Sequence, residues 1–441
     1  MSFDTQAIGT TFGKLSDRSQ YKNINELHEA SITMAAYNFD TMTPLPDLRA
    51  IEHGENADKF SLLERASLFG SETMSQPLDA SPKAFRQAMT MLRAGNGAKY
   101  LHDTIMPNFP GSAAQQINLM LNNPRFTNTK GGKERNLFTR SRAADGDREA
   151  HIRGFLSDSY VPVDAHKIIG VIAKYLNNLA SEQGAGEMVA TAMQRHGSGT
   201  TVTVDTPTPN GGIGHNLLSP YMTPDRLSAK IRLGLTITLR NGDTFSPGFL
   251  VKTEDTGGVS IHVLGGAIRL TCLNGMWRWA SQSANSAMYK ELGWSPIIQH
   301  RWGSENTILM RVEQATAYAL MSGVELLEKV EQANLRNLPN TTDILAGMIK
   351  RLVPKDDQEQ VLMQAAIGTE GERTAMGVVN GITYAAHSNG ISQDLRDKLE
   401  IAGGAALEQV DFIGNVSDTQ LMNQFFRVAG SKLVHEDAEL V

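Results

Sequence analysis

The sequence predicts an α+β fold in which a central antiparallel β-rich domain is followed by a C-terminal helical lobe. Three observations lead there. Apolar residues alternate with polar ones in short runs between about 136 and 270, the period of a half-buried strand. From Ser304 onward the apolar spacing changes to three and four, the period of a helix face. The length of 441 residues exceeds what one core usually serves and divides into lobes of roughly 100–200 residues each. The expected division is 1–125, mixed and mainly helical; 126–303, β-rich; and 304–441, helical and acidic.

Taken in order, Leu62, Leu63, Ala66 and Phe69 have helical spacing, as do Phe85, Ala88, Met89 and Leu92. A helix from Ala113 to Leu121 should stop before Pro124. Asn136 to Arg142 reads as a strand, Asp145-Gly146-Asp147 as a turn, and His151 to Leu156 as the antiparallel partner. Ala165 to Leu179 carries Ile168, Ile169, Ile172, Leu176 and Leu179 on one helical stripe. Gly197 to Ser219, rich in Gly, Thr, Pro and Asn, reads as a long loop. Strands follow at Ala229–Leu239, Phe249–Val251, Val259–Val263 and Ala267–Leu270, with a turn at Asn241-Gly242-Asp243. A long helix begins after Ser304, and shorter ones follow near 342–352, 357–367, 372–388, 392–406 and 418–429.

Composition narrows the class. The chain is 41% apolar and 20% charged, in the globular range, and no run approaches the ~20 apolar residues of a membrane span. Met1-Ser2-Phe3-Asp4-Thr5 has no basic or apolar leader character, so a cytoplasmic protein, with no membrane contact, is expected. The lone Cys272, among Ile268, Leu270 and Leu273, reads as a buried, unreactive thiol. Charge is uneven. From Asp356 to Val441 fourteen acids face five bases, leaving −9 there and +3 on the first 355 residues of a chain whose total is −6. A basic face in the earlier part is therefore compatible with an acidic whole. The acidic lobe should fold by itself and shun polyanions.

Motifs for catalysis are sparse. The eleven histidines show no H-x-x-x-H or H-E-x-x-H spacing and there is no C-x-x-C, so no zinc set is expected. Gly132-Lys133 lacks the first glycine and the Ser/Thr of a phosphate-binding loop, and Gly95-Asn96-Gly97 lacks the third glycine of a dinucleotide site. No catalytic residue, cofactor or metal is expected, and an enzyme is the less expected class.

Three runs stand out: Arg153-Gly154-Phe155-Leu156-Ser157-Asp158-Ser159-Tyr160 leading to Val163-Asp164; Gly266-Ala267-Ile268-Arg269-Leu270-Thr271-Cys272-Leu273-Asn274-Gly275-Met276; and Thr374 to His387. Together they resemble a phage- and plasmid-like family built on a domain of unknown function, with R-x-F-L-S-D-x-Y, R-L-x-C-x-N-G-M and N-x-x-T-x-x-x-x-H runs. The resemblance spans about 130–400 and departs at Gly381 and Met376, where Ala and Trp are more usual. It implies a mobile-element origin and action inside the bacterial host, and supplies no catalytic residues. Read physically, Phe155 and Tyr160 pin a strand end, Asp158 caps a turn, and Asn274-Gly275 forms a turn of positive φ.

Two features suit nucleic acid. Lys130, Lys133, Arg135, Arg140, Arg142, Arg148 and Arg153 outnumber the intervening acids by three, and Arg140 and Arg142 share one strand face. All four tryptophans, Trp277, Trp279, Trp294 and Trp302, fall within 277–302 beside Arg278 and Arg301, a composition that stacks unpaired bases. With Arg269, these basic and indole residues form the expected contact surface. The plainer readings are a solvated hairpin face and tryptophans in a core or subunit contact. The expected function is non-enzymatic single-stranded DNA binding in replication or recombination, with self-association through the helical lobe. The rival is an interaction protein that engages a host or phage protein through that lobe without touching nucleic acid.

Overall fold

The structure is a computed structural model; it describes residues 21–408 except 54–55, 66–71, 75–77, 93–96, 106–107, 130, 145–149, 197–199, 224, 271–273, 278–296, 302, 339, 370 and 389. The fold is α+β, with two mainly antiparallel sheets and a helical C-terminal region. The chain forms two compact units. Among the described residues, the N-terminal unit comprises 30–164 and 254–259, and the C-terminal unit 21–29, 165–253 and 260–408. The expected boundary near 126 is not where the chain divides, and the expected helical lobe is not separate: 304–408 belongs to the same unit as the strands of 165–253.

In the N-terminal unit, α1 (Ile24–Ala35), which begins in the other unit's residues, leads to β1 (Asn38–Pro44), β2 (Leu48–His53), β3 (Asn56–Arg65), β4 (Glu72–Met74) and β5 (Leu78–Ala80). Then come α2 (Pro82–Met91), α3 (Pro110–Leu121), β6 (Asn136–Arg142) and β7 (His151–Ser157). The sheet order is β1-β6-β7-β5-β3-β2 with β4 on β3; β5 and β7 run parallel and the other pairs antiparallel. Leu62 and Leu63 lie in β3, not in a helix, because β3 is paired by β2 on one side and β5 on the other. A short apolar run fits either period, and the ladder decided it. The helix at Phe85–Leu92 forms as expected; Ser81 caps it, accepting from the Ala84 N–H, with Pro82 at its first position. Phe85, Ala88 and Met89 join Ala113, Ile117 and Leu121 of α3 on Ile152 and Phe155, the core of this unit.

The C-terminal unit opens with α4 (Ala165–Leu179) and α5 (Glu182–His196). Its sheet contains β8 (Thr201–Val204), β9 (His215–Met222), β10 (Arg226–Leu233), β11 (Leu235–Thr238), β12 (Thr244–Glu254), β13 (Ile261–Arg269), β14 (Asn274–Trp277) and β15 (Ile297–Ile298). The path β14-β13-β12-β10-β9 forms its spine, and β11 joins β12 to β8. The expected loop at 197–219 therefore contains β8 and the start of β9: Thr201-Val202-Thr203-Val204 alternates and pairs with Leu235–Thr238. Asn274-Gly275 is not a turn but the start of β14, paired with Arg269 and Ile268, and Gly275 has no positive φ. Its smallness serves packing, since a Cβ there would collide with the Trp277 indole.

Helices α6 (Glu305–Leu335), α7 (Thr341–Leu352), α8 (Gln358–Gly368), α9 (Ala375–Ala385) and α10 (Gln393–Glu408) follow. The expected helix at 418–429 lies outside the described residues. Small residues let α6 approach the sheet: a Cβ on Gly265 of β13 would meet Ala319 and Ser322, and one on Gly323 of α6 would meet the Gly266 carbonyl. Likewise Gly404 of α10 lies against the Trp277 backbone. Gly381 sits where a Cβ would be 2.7 Å from the Ala365 carbonyl oxygen, so an Ala there would not fit this packing.

Candidate functional site

The structure distributes the expected contact residues among quite different environments. Lys133 and Arg301 are exposed. Arg135 is half-buried and donates to the Met91 carbonyl. Lys130, Arg278, Trp279 and Trp302 lie outside the described residues, as do Arg148, Trp294 and Cys272. Arg140, Arg142, Arg153 and Trp277 are all buried, and Arg269 is nearly so, donating to Asp243 at 2.8 Å. These five do not form a phosphate- or base-contacting surface, which corrects the expected face.

β6 keeps an unbroken register against β1, with Arg140 opposite Asp40 and Arg142 opposite Asn38, but both arginines are buried; the shift between Arg140 and Ser141 leaves Arg153 of β7 outside the ladder. Arg140 instead enters an ionic cluster of the N-terminal unit. Its Nε donates to Asp40 Oδ1 (3.1 Å), its Nη1 to the Asp255 carbonyl (2.9 Å), and its Nη2 to Asp164. Arg153 Nη2 reaches both Asp255 carboxylate oxygens at 2.6 and 2.8 Å. Tyr160 donates its hydroxyl to the Asp255 carbonyl at 2.9 Å, and Lys83 pairs with Glu254. Burial opposes the Arg140 charge, yet Asp255, Asp164 and Asp40 outweigh it and raise its pKa. Burial also raises the Tyr160 pKa, helped by Asp255 and opposed by Arg140. Arg142 turns elsewhere, donating to the Met34 carbonyl at 2.9 Å with its guanidinium 5.2 Å from the centre of the Tyr37 ring. The first run, Arg153 to Tyr160 with Asp164, thus builds an internal scaffold. Asp158 is exposed.

A second charged seam lies within the C-terminal unit. Asp394, Asp397 and Glu400 recur every three residues along α10 and meet Arg226, Ser228 and Lys230, which alternate along β10. Arg226 Nη1 donates to Asp394 (2.8 Å), Ser228 to Asp397 (3.1 Å), and Lys230 Nζ lies 2.7 Å from Glu400 Oε2. Lys252 of β12 bridges, 2.9 Å from Asp394 and 3.5 Å from Asp397. Burial would raise the Asp394 pKa, but Lys252 and Arg226 prevail and hold it at about 2. The Trp277 indole N–H donates to Glu400 Oε2 at 2.7 Å, and His387 Nε2 lies 3.6 Å from Oε1. The residue directly after the second run and the last residue of the third therefore converge on one buried carboxylate. Sequence reasoning does not find Glu400 and Asp255, because a lone acid reads as solvated charge. The available signal was three-residue acidic spacing on a helix matched to two-residue spacing on a strand.

Among the described residues no group of three or more His, Cys, Asp or Glu is arranged to hold a metal, and no helix is long and apolar enough to cross a membrane. No family model, curated protein or solved structure matches the chain.

Proposed function

We propose that this is a phage- or plasmid-borne protein that binds single-stranded DNA without catalysis, acting in the host cytoplasm during replication or recombination. The family resemblance of the three runs supports the origin. The observation that carries the binding reading is the exposed basic connection between α3 and β6. Arg125 is exposed on a short helical turn, Pro124–Thr127, Lys133 is exposed on the turn that follows, Arg135 is anchored at its base, and Gly132 at φ 77° sets its tip. The sequence adds Lys130, so four bases stand against Glu134 alone. Flexible cations on a turn neutralise phosphates at little desolvation cost, whereas buried Arg140 and Arg153 are spent on carboxylates. Titrating labelled oligonucleotides at several salt concentrations tests it. R125A/K133A should reduce the salt slope of log K by roughly 0.7 per contact on single strands. Wild-type protein that leaves oligonucleotides free at low salt rejects this reading.

A second reading has its own observation. On α8, Met363 and Ile367 are one turn apart and 57% and 55% exposed. Neighbouring apolar side chains in water suit a protein partner, including another copy of the chain. M363D/I367D should abolish self-association, measured by light scattering, or leave it intact if the face is idle.

A further inference from the structure

Trp277, directly after the second run, and His387, which closes the third, are far apart in the chain, yet both meet Glu400. The three differ in their access to water. Glu400 and Trp277 are wholly buried, whereas the His387 side chain is 39% exposed. The two carboxylate oxygens are also used unequally. Oε2 receives the Trp277 indole N–H and faces the Lys230 ammonium, both at 2.7 Å. Among the described residues Oε1 accepts no hydrogen bond, and it lies 3.6 Å from His387 Nε2. The two oxygens share one negative charge. A proton arriving at His387 therefore attracts charge towards Oε1 and weakens the hold of Oε2 on the indole.

We propose that His387 and Glu400 form a proton-responsive relay that transmits solvent pH to the buried indole of Trp277. Among the described residues, the charged groups that act on the ring are Glu400 and Arg396 from α10 and Lys230 from β10. Arg396 also donates to the Ser388 carbonyl at 3.3 Å, beside the ring. The only ionisable side chain of α9 is Tyr384, and β14 has none. Asp394 and Asp397 are engaged by Arg226, Ser228 and Lys252, so they do not compete for the histidine. Burial lowers the His387 pKa, opposed by Glu400, so the relay switches on the acid side of the ordinary value of 6.5.

Labelling the full chain with 5-fluorotryptophan gives one fluorine resonance for each of its four tryptophans. Trp277 is assigned from W277F or, should that variant not fold, by elimination from W279F, W294F and W302F. Between pH 8 and 5 the Trp277 resonance should move along a single titration curve with a midpoint below 6.5, matching the His387 ring protons. In H387N, a change at a half-exposed site, that movement should vanish while the fold persists. A Trp277 resonance indifferent to pH, or one that moves equally in H387N, overturns the relay.

Discussion

Asp255 holds two buried arginines through its carboxylate and carbonyl, so its loss leaves two cations without their main counter-charge. Stranding a buried charge costs about 3–5 kcal/mol, more than the pair itself contributes. D255A should therefore lower the urea midpoint by that equivalent, whereas a change under 1 kcal/mol would mean the arginines find water. Asp394 makes an opposite kind of claim. Its folded pKa of about 2 lies below the ordinary value of 3.8, so its contribution is complete above the unfolded value and is lost as pH falls towards 2. Because the side chain is 39% exposed, screening limits that contribution to about 1 kcal/mol or less. D394N should flatten stability between pH 4 and 2, read from thermal melts in that window. His387 has a lowered folded pKa, so the unfolded chain binds its proton more readily. Its contribution is complete above about 6.5 and declines as pH falls towards the folded value.

At the scale of elements, helix and strand approach one another through missing side chains. Gly323 of α6 lies against the Gly266 backbone, and Gly404 of α10 against Trp277. G404A should force these apart at about 1–3 kcal/mol, visible as a lower Tm and altered Trp277 fluorescence. The elements themselves were readable where pattern and burial coincide. Ile231, Leu233, Leu235 and Ile237 alternate and are buried, and the stripe Ile168, Ile169, Ile172 and Leu176 is the buried face of α4. What was hidden is long-range. Arg140 and Arg153 reach Asp255 across 115 and 102 residues, and no local pattern announces such a partner. An arginine that follows strand alternation looks solvated until its carboxylate is placed. The second and third runs are legible as runs, but the meeting of Trp277, next after the one, and His387, at the end of the other, at Glu400 requires the packing of α10 on β14.

For the whole molecule, the helical region depends on strands that precede it. Ile308, Val312, Ala315 and Ala319 of α6 are buried, and α6 packs along β13 within one unit. Expressed alone, 304–441 should expose that face and show no cooperative melt by circular dichroism, contrary to the independent folding its periodicity suggests. A sharp transition in the isolated fragment would overturn this. The N-terminal unit is likewise assembled from separated stretches, and on the ribosome that separation becomes a delay. Roughly 90 residues lie between Asp164 and Glu254, so at about 5–20 residues per second the segment bearing Asp255 follows Asp164 by some 5–18 s. During that interval Arg140 has only Asp40 and Asp164 as acidic partners in its cluster, and Arg153 lacks the carboxylate that grips it. The emerging unit waits, half-neutralised, for a turn still to be translated. Nascent chains stalled before Asp255 has left the ribosome should be cut by protease within 30–164, and chains stalled well beyond it should resist.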